Sequence, residues 1–302
     1  MAEIIPFDKR DGSIWLDGRL VPWREANVHV LTHGLHYASS VFEGERVYSG
    51  RIYQLEEHTR RLFESARILD MHIPYTEEQI NAASREVAKA QGFEDAYVRP
   101  VVFRGSEQMS VAAPRSSTRI AIAVWQWPSY FDPVQKMKGI RLTISDWRRP
   151  APDTAPWKSK AAGLYMICTI SKHKAESEGF HDALMLDYRG LVAEATGANI
   201  FFVEEGKLIT PIADCFLDGV TRRSIMQLAR ARQIPVVEKY IEFPDLERYS
   251  ECFLTGTAAE VTPVQQIAQY RFTPGAITET LMHDYMQDVR KPVSAVTFPM
   301  AA

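Results

Sequence analysis

Cysteine is nearly missing from this chain. Cys168, Cys215 and Cys252 are its three, and none forms a C-x-x-C pair. That count and spacing argue against a disulfide framework and a zinc knuckle. Charge of one sign is also missing: the formal net charge is −3, and lysines and arginines never run together into a basic patch. Nucleic acid and anionic membrane surfaces are therefore not expected as partners. No apolar stretch is long enough to span a bilayer. The opening "MAEIIPFDKRDG" has no signal-peptide core and turns acidic early, so the expected setting is a reducing cytoplasm. There is no GxSxG elbow, no Walker loop and no GxGxxG, which counts against serine hydrolases, P-loop enzymes and Rossmann dehydrogenases. Internal repeats and low-complexity segments are absent as well.

What is present is globular. The 302 residues are 46% hydrophobic and 24% charged, enough for one large domain or two ordinary ones. Ile14–Leu16 and Arg19–Val21 flank Asp17-Gly18, a two-residue hairpin signal. Apolar spacing predicts a helix over about 58–70, with Leu62, Ala66 and Leu69 on one face. A second is predicted over about 77–91, with Ile80, Ala83, Val87 and Ala90 inward. "YVRPVVFRG" and "RIAIAVW" read as strands. The stretch 126–139, with two prolines and a glycine, is the best linker candidate. The pattern then restarts, with strands near 140–146, 182–187, 198–203 and 207–210. Helices are expected near 163–178 and 220–232, and another strand ends at "CFLTG". The coarse reading is α+β, with a small N-terminal domain over 1–130, an interdomain loop over 131–137 and a larger domain over 138–302.

Several stretches carry groups suited to chemistry. His29, His33 and His36 stand four and three apart, and on a regular helix they would share a face and permit a metal. Gly34 and β-branched neighbours oppose such a helix, no carboxylate partner follows, and no metal is expected. "LDGVTRRSI" passes through Gly219 into an amphipathic helix, whose N-terminus can hold phosphate or simply be capped. "LTGTAAEVTPV" ends a strand in small residues, either as a second anion cradle or as a tight turn. Glu194, among alanines, is either a partly buried carboxylate needing a cation or a surface ion-pair partner. Tyr97 and Arg99 share one face of a strand and suit a carboxylate ligand, or form an amphipathic edge pair. Finally, "APDTAPWKSKAAGLYM" places Lys158 and Lys160 where a proline-rich loop turns apolar, and the local sequence does not choose between them.

Seven stretches, in order and at compatible spacing, resemble the branched-chain amino acid aminotransferases of the fold-type IV pyridoxal-phosphate class. They are "HVLTHGLHYASSVFEG", "EEHTRRL", "YVRPVVF", "KAAGLY", "VAEATGANIFFV", "LDGVTR" and "GTAAEVTPV". The similarity spans about Ile14 to Tyr285. It implies two α/β domains with pyridoxal 5′-phosphate at their interface. It also implies transamination between L-leucine, L-isoleucine or L-valine and 2-oxoglutarate, giving branched 2-oxo acids and L-glutamate. D-amino acid and (R)-amine transaminases share the fold and are the nearest alternative; a hydrolase using the three histidines is the alternative of another class.

The resemblance selects Lys160 as the residue that carries the cofactor and moves the substrate proton. It implies that Glu194 pairs with the pyridinium nitrogen and Tyr165 with the phenolic oxygen. Arg61 rather than Arg60, with Leu217, Val220, Thr221 and Thr257, is implied around the phosphate. Tyr97, Arg99, Thr257 and Ala258 are implied at the substrate carboxylate, and Phe42, Trp127 and Tyr130 at its side chain. Met109 and Val111 match a loop contributed across a dimer interface, so a homodimer or a higher homo-oligomer is expected. Two positions depart from the family. Asp218 replaces a frequent proline and is expected to cap the helix that follows. Leu164 replaces a common asparagine.

Overall fold

The computed structural model describes residues 5–127 and 136–291. Tyr130 and most of the predicted interdomain loop lie outside these residues. Among them the chain builds two sheets. The first contains β1 (Ser13–Leu16), β2 (Arg19–Pro22), β3 (Ser40–Phe42), β4 (Glu45–Tyr48), β5 (Arg51–Ile52), β6 (Ala96–Arg104) and β7 (Thr118–Gln126). Its order is β2-β1-β7-β6-β4-β5, with β3 also on β6. The Asp17-Gly18 turn has φ of +45° and +98°, the left-handed pair a type I′ hairpin requires. One face is covered by helices α2 (Leu55–Ile68) and α3 (Glu77–Gln91), which follow the single-turn helix α1 (His33–Tyr37). Leu62, Ile80 and Val87 bury against Val98, Ile120, Ile122 and Val124.

Two features of these helices differ from the sequence expectation. Helix α2 starts three residues early, entered through Gln54 at φ +53° without a side-chain cap to announce it. In α3, Ala90 is exposed rather than inward. Gln91 turns in instead, accepting from Ser13 N at 3.0 Å and donating to the Val124 carbonyl at 2.9 Å.

The second sheet holds β8 (Ile140–Ile144), β9 (Asp182–Leu186), β10 (Val192–Ala195), β11 (Asn199–Glu204), β12 (Lys207–Pro211), β13 (Val236–Lys239), β14 (Glu251–Gly256), β15 (Glu260–Ile267) and β16 (Tyr270–Arg271). Its order is β10-β9-β8-β15-β14-β11-β12-β13, with β16 on β15. Both faces of its centre are buried, so β11 reads as a continuous apolar run rather than an alternation. Ile200, Phe202 and Leu254 face one core. Phe201, Val203 and Phe253 face another, closed by Met226 of helix Val220–Ala231 and by Leu281 and Tyr285 of helix Ala276–Asp288. Tyr48 at the end of β4 and Tyr53 just beyond β5 enter that same core and join the two sheets.

Candidate active site

Lys160 sits on a loop that follows β8 and is pinned by the first sheet and its helix. Its N–H donates to Ser65 Oγ of α2 at 3.0 Å, and its carbonyl accepts from Phe42 N of β3 at 3.2 Å. Ser159 Oγ donates to the Ser65 carbonyl, and Ala161 bridges Val41. The lysine chain then lines a cavity of about 220 Å3 between the sheets. Its Nζ donates to Tyr165 Oη at 2.8 Å and lies 5.2 Å from the Phe42 ring. Lys158 is exposed, with Nζ 5.3 Å from the Trp157 ring, and lies outside the cavity.

Glu194 lies on a strand of its own, β10, which the sequence reading did not predict. A register shift between Val192 and Glu194 bulges the strand against β9, and such a bulge re-aims a side chain. The carboxylate is buried. Arg149 Nε stands 3.3 Å from Oε1, and Asn199 Nδ2 donates to Oε2 at 3.2 Å. Burial pushes the Glu194 carboxyl up to about 7, against the pull of Arg149 and Lys160. Burial also raises the Cys168 thiol to about 11, although Arg149 Nη1 reaches its sulfur at 3.5 Å.

Arg61 also lines the cavity. Glu43, wholly buried, grips it from behind, accepting from Nε at 2.6 Å and Nη2 at 2.8 Å. His58 Nδ1 meets the same carboxylate at 2.8 Å. Burial alone would raise Glu43, but Arg61 and His58 hold its carboxyl far below the usual range. The rigid fork leaves the remaining guanidinium edge for the cavity.

The far wall consists of two backbone turns. The helix Val220–Ala231 begins at Gly219, whose N–H donates to Asn199 Oδ1 at 3.1 Å, with no side-chain cap. A Cβ at Gly219 would stand 2.3 Å from that oxygen, so any larger residue would displace Asn199. Leu217, Val220 and Thr221 line the cavity from this side, and Asn199 Nδ2 also holds the Leu217 carbonyl at 2.9 Å. Asp218 does not cap the helix as expected. It turns outward to Arg222 Nη1 at 2.7 Å, because that buried guanidinium needs a counter-charge. The second turn, Thr257–Ala259, joins β14 to β15, and Thr257 and Ala258 line the cavity. Thr255 Oγ1 beside it is buried, lines the cavity and has no partner among the described residues.

On the first-sheet side, Arg99 Nη2 donates to Tyr97 Oη at 3.1 Å, and its guanidinium lies 4.7 Å from the Phe42 ring. Gly44 makes room for the phenol: a Cβ there would stand 2.0 Å from Tyr97 Oη. The Trp127 ring is 5.1 Å from that of Tyr97. Met109 and Val111 are exposed, on a loop outside this cavity. Leu164 packs at the edge of the first core.

The three histidines do not converge. His33 meets Ser39 Oγ and the Ser110 carbonyl, His36 the Val30 carbonyl, and His29 accepts from Leu31 N. Among the described residues, metal-ligand atoms gather only at Asp187, Asp214 and Cys215, where Arg189 already pairs both carboxylates.

Sequence reasoning missed Glu43, Arg149 and Asn199. Each holds a residue it did find. The available signals were an isolated glutamate in "VFEG", an arginine pair before proline, and an asparagine opening an apolar strand.

An antiparallel sheet and a mixed sheet meeting over a lysine, a buried carboxylate and a helix N-terminus define the fold-type IV class. Residues 40–267 match the amino-transferase class IV family, and the chain belongs to that family. It is 41% identical over 283 residues to a probable branched-chain-amino-acid aminotransferase of Rickettsia felis, covering 92% of this chain and 96% of the relative. It is 40% identical over 283 residues to the branched-chain-amino-acid aminotransferase of Pseudomonas aeruginosa, covering 91% and 92%. The crystal structure of the branched-chain amino acid aminotransferase from Thermobaculum terrenum in its PLP-form superposes with a TM-score of 0.85 at 30% identity, covering 93% of this chain and 95% of that one. Among the described residues, no helix is long and apolar enough to cross a membrane.

Proposed function

We propose that this chain is a pyridoxal-phosphate-dependent aminotransferase that moves the amino group between L-branched-chain amino acids and 2-oxoglutarate. The observation that carries the reading is Lys160 Nζ, held by Tyr165 in a cavity with Glu194 on one side and the Gly219 helix start and Arg61 on another. An amine, a buried carboxylate and an anion cradle are the groups such a cofactor needs, and the unpartnered Thr255 hydroxyl adds one more. When bound, pyridoxal phosphate supplies an electron sink for the substrate Cα.

The chain's own residues do the rest. Lys160 would hold the cofactor and would carry the proton between the substrate Cα and C4′ of the cofactor, in opposite directions in the two half-reactions. Tyr165 steers Nζ and would hydrogen-bond the phenolic oxygen. Glu194, with Arg149 and Asn199 beside it, would pair with the pyridinium nitrogen. Arg61, Leu217, Val220, Thr221 and Thr257 would hold the phosphate. Tyr97, ordered by Arg99, and the turn at Thr257 and Ala258 take the α-carboxylate. Phe42 and Trp127, with Tyr130 assigned by the resemblance alone, are the groups for the apolar side chain, and such a pocket separates leucine, isoleucine and valine weakly because one methylene is worth only about 1–3 kcal/mol.

The protein works as a homodimer at least, with Met109 and Val111 reaching the cavity of a second copy. Their exposure, with that of Val30, Leu35 and Tyr37, supports such an interface. The chain divides into a small N-terminal domain over 1–130 and a larger one over 138–302, with 131–137 between them. A cytoplasmic setting is supported by three free, buried cysteines.

The visible spectrum tests the reading. A cofactor band bleached by L-leucine and not by D-alanine is expected. Lys160→Ala abolishes the band and turnover, and Lys158→Ala spares both. Bleaching by D-alanine alone would move the function to the D-amino acid branch.

A further inference from the structure

Glu260 carries a charge that the reaction does not use, on a backbone its residue type resists. It is 3% exposed with φ +54°, and it does not line the cavity. It opens β15 opposite Gly256, closing the Thr257–Ala259 turn. Its Oε1 accepts from Tyr48 Oη at 3.0 Å and lies 3.8 Å from Arg46 Nη1. Its Oε2 accepts from Lys136 Nζ at 2.7 Å.

These partners come from elsewhere in the fold. Arg46 and Tyr48 belong to β4 of the first sheet, whereas Lys136 ends the connection between the sheets. At the other end of that connection, the Trp127 carbonyl accepts from Arg46 Nη2 at 3.5 Å. One buried carboxylate thus ties the turn, β4 and, directly or through Arg46, both flanks of the connection. Arg46 is also the register partner of Tyr97. The two groups assigned to the substrate carboxylate, Tyr97 and the Thr257–Ala258 turn, stand on different sheets, and the Glu260–Arg46 link spans them. A left-handed glutamate persists only where its surroundings over-determine it, and here two cations and a phenol do so.

We propose that Glu260 is a positioning residue for substrate binding: by holding Arg46 and Lys136 it sets the Thr257–Ala258 turn in register with Tyr97. The proposal rests on the assignment of Tyr97 and that turn to the substrate carboxylate. Glutamine keeps the shape and the acceptor for Tyr48 but not the charge that gathers two cations.

Steady-state kinetics of the holoenzyme with L-leucine test this, using Glu260→Gln, Lys136→Met and the double variant. KM is expected to rise on the order of ten-fold in Glu260→Gln, the loss of one charge-assisted hydrogen bond, with kcat within about three-fold. The cofactor band should survive gel filtration. Lys136→Met should move KM the same way by less, and the double variant should be no worse than Glu260→Gln, since it removes one interaction twice. Unchanged KM in both single variants overturns the proposal. So does a loss of kcat and of the cofactor band at constant KM, or additivity in the double variant. If Glu260→Gln does not fold, Lys136→Met decides by its KM alone. A wild-type band indifferent to L-leucine removes the underlying assignment. A normal wild type with indifferent variants removes only the role of Glu260.

Discussion

Glu194 is the side chain whose environment has the clearest consequence. In the unfolded chain its pKa is near 4.5; in the fold, burial pushes it up to about 7. The folded state therefore holds the proton more tightly, and stability falls as pH rises from about 4.5 to about 7. This single group costs the cofactor-free protein about 3 kcal/mol by neutral pH. Urea denaturation of wild type and Glu194→Gln, both without cofactor, should diverge across that window, the variant losing less. Parallel curves would place the charge elsewhere. Glu43 works in the opposite sense: its depressed carboxyl contributes stability above about pH 4.5 that is lost on acidification. Glu194 and Lys160 were reached only through the family resemblance, since the residues beside them left a surface ion pair and Lys158 equally open. Arg149 and Glu43 were not reached at all: each acts across 18 to 45 residues on a partner that only the fold brings near.

Among the elements, the helix Val220–Ala231 links chemistry and stability. Its Arg222 is 2% exposed and collects Asp218, Glu238 and the Pro211 carbonyl. The helix start is thereby tied to β12 and β13, and Asp218 is turned away from the anion cradle. Arg222→Ala should cost about 3 kcal/mol, because it empties the buried space the arginine fills and leaves the Pro211 carbonyl without its donor. Asp218→Asn should cost less than about 1 kcal/mol, since that carboxylate is 41% exposed. Urea titration measures both, and an equal loss would contradict the ranking. The periodic helices and the Asp-Gly hairpin were legible because local spacing alone decides them. Strand β10 was hidden, because four residues with a bulge have no period to show. Ala90 was misplaced, because the sheet ends before the helix face does and Gln91 finds a donor and an acceptor there.

At the scale of the whole molecule, the exposed apolar loop makes a claim about assembly. Val111→Asp should raise KM for L-leucine several-fold and weaken the proposed dimer on sedimentation. The stability of the protomer itself should change by less than the roughly 0.5 kcal/mol expected of a surface substitution. A dimer of wild-type strength with unaltered KM would place that loop outside the interface.

The pinning of Lys160 by Ser65 and Phe42 has a consequence for how the protein comes into being. The two residues that hold the lysine backbone are synthesised before it, and the carboxylate and helix that face it are synthesised after it. The second part of the polypeptide carries the lysine, the carboxylate and the helix start, but the first supplies Arg61 and the groups that pin the lysine, so neither part is expected to hold the cofactor alone. A gene cut between the halves should yield two colourless fragments, and colour should return only on their reunion. On that outcome, the cofactor in the cell would draw newly made chains toward completion by mass action.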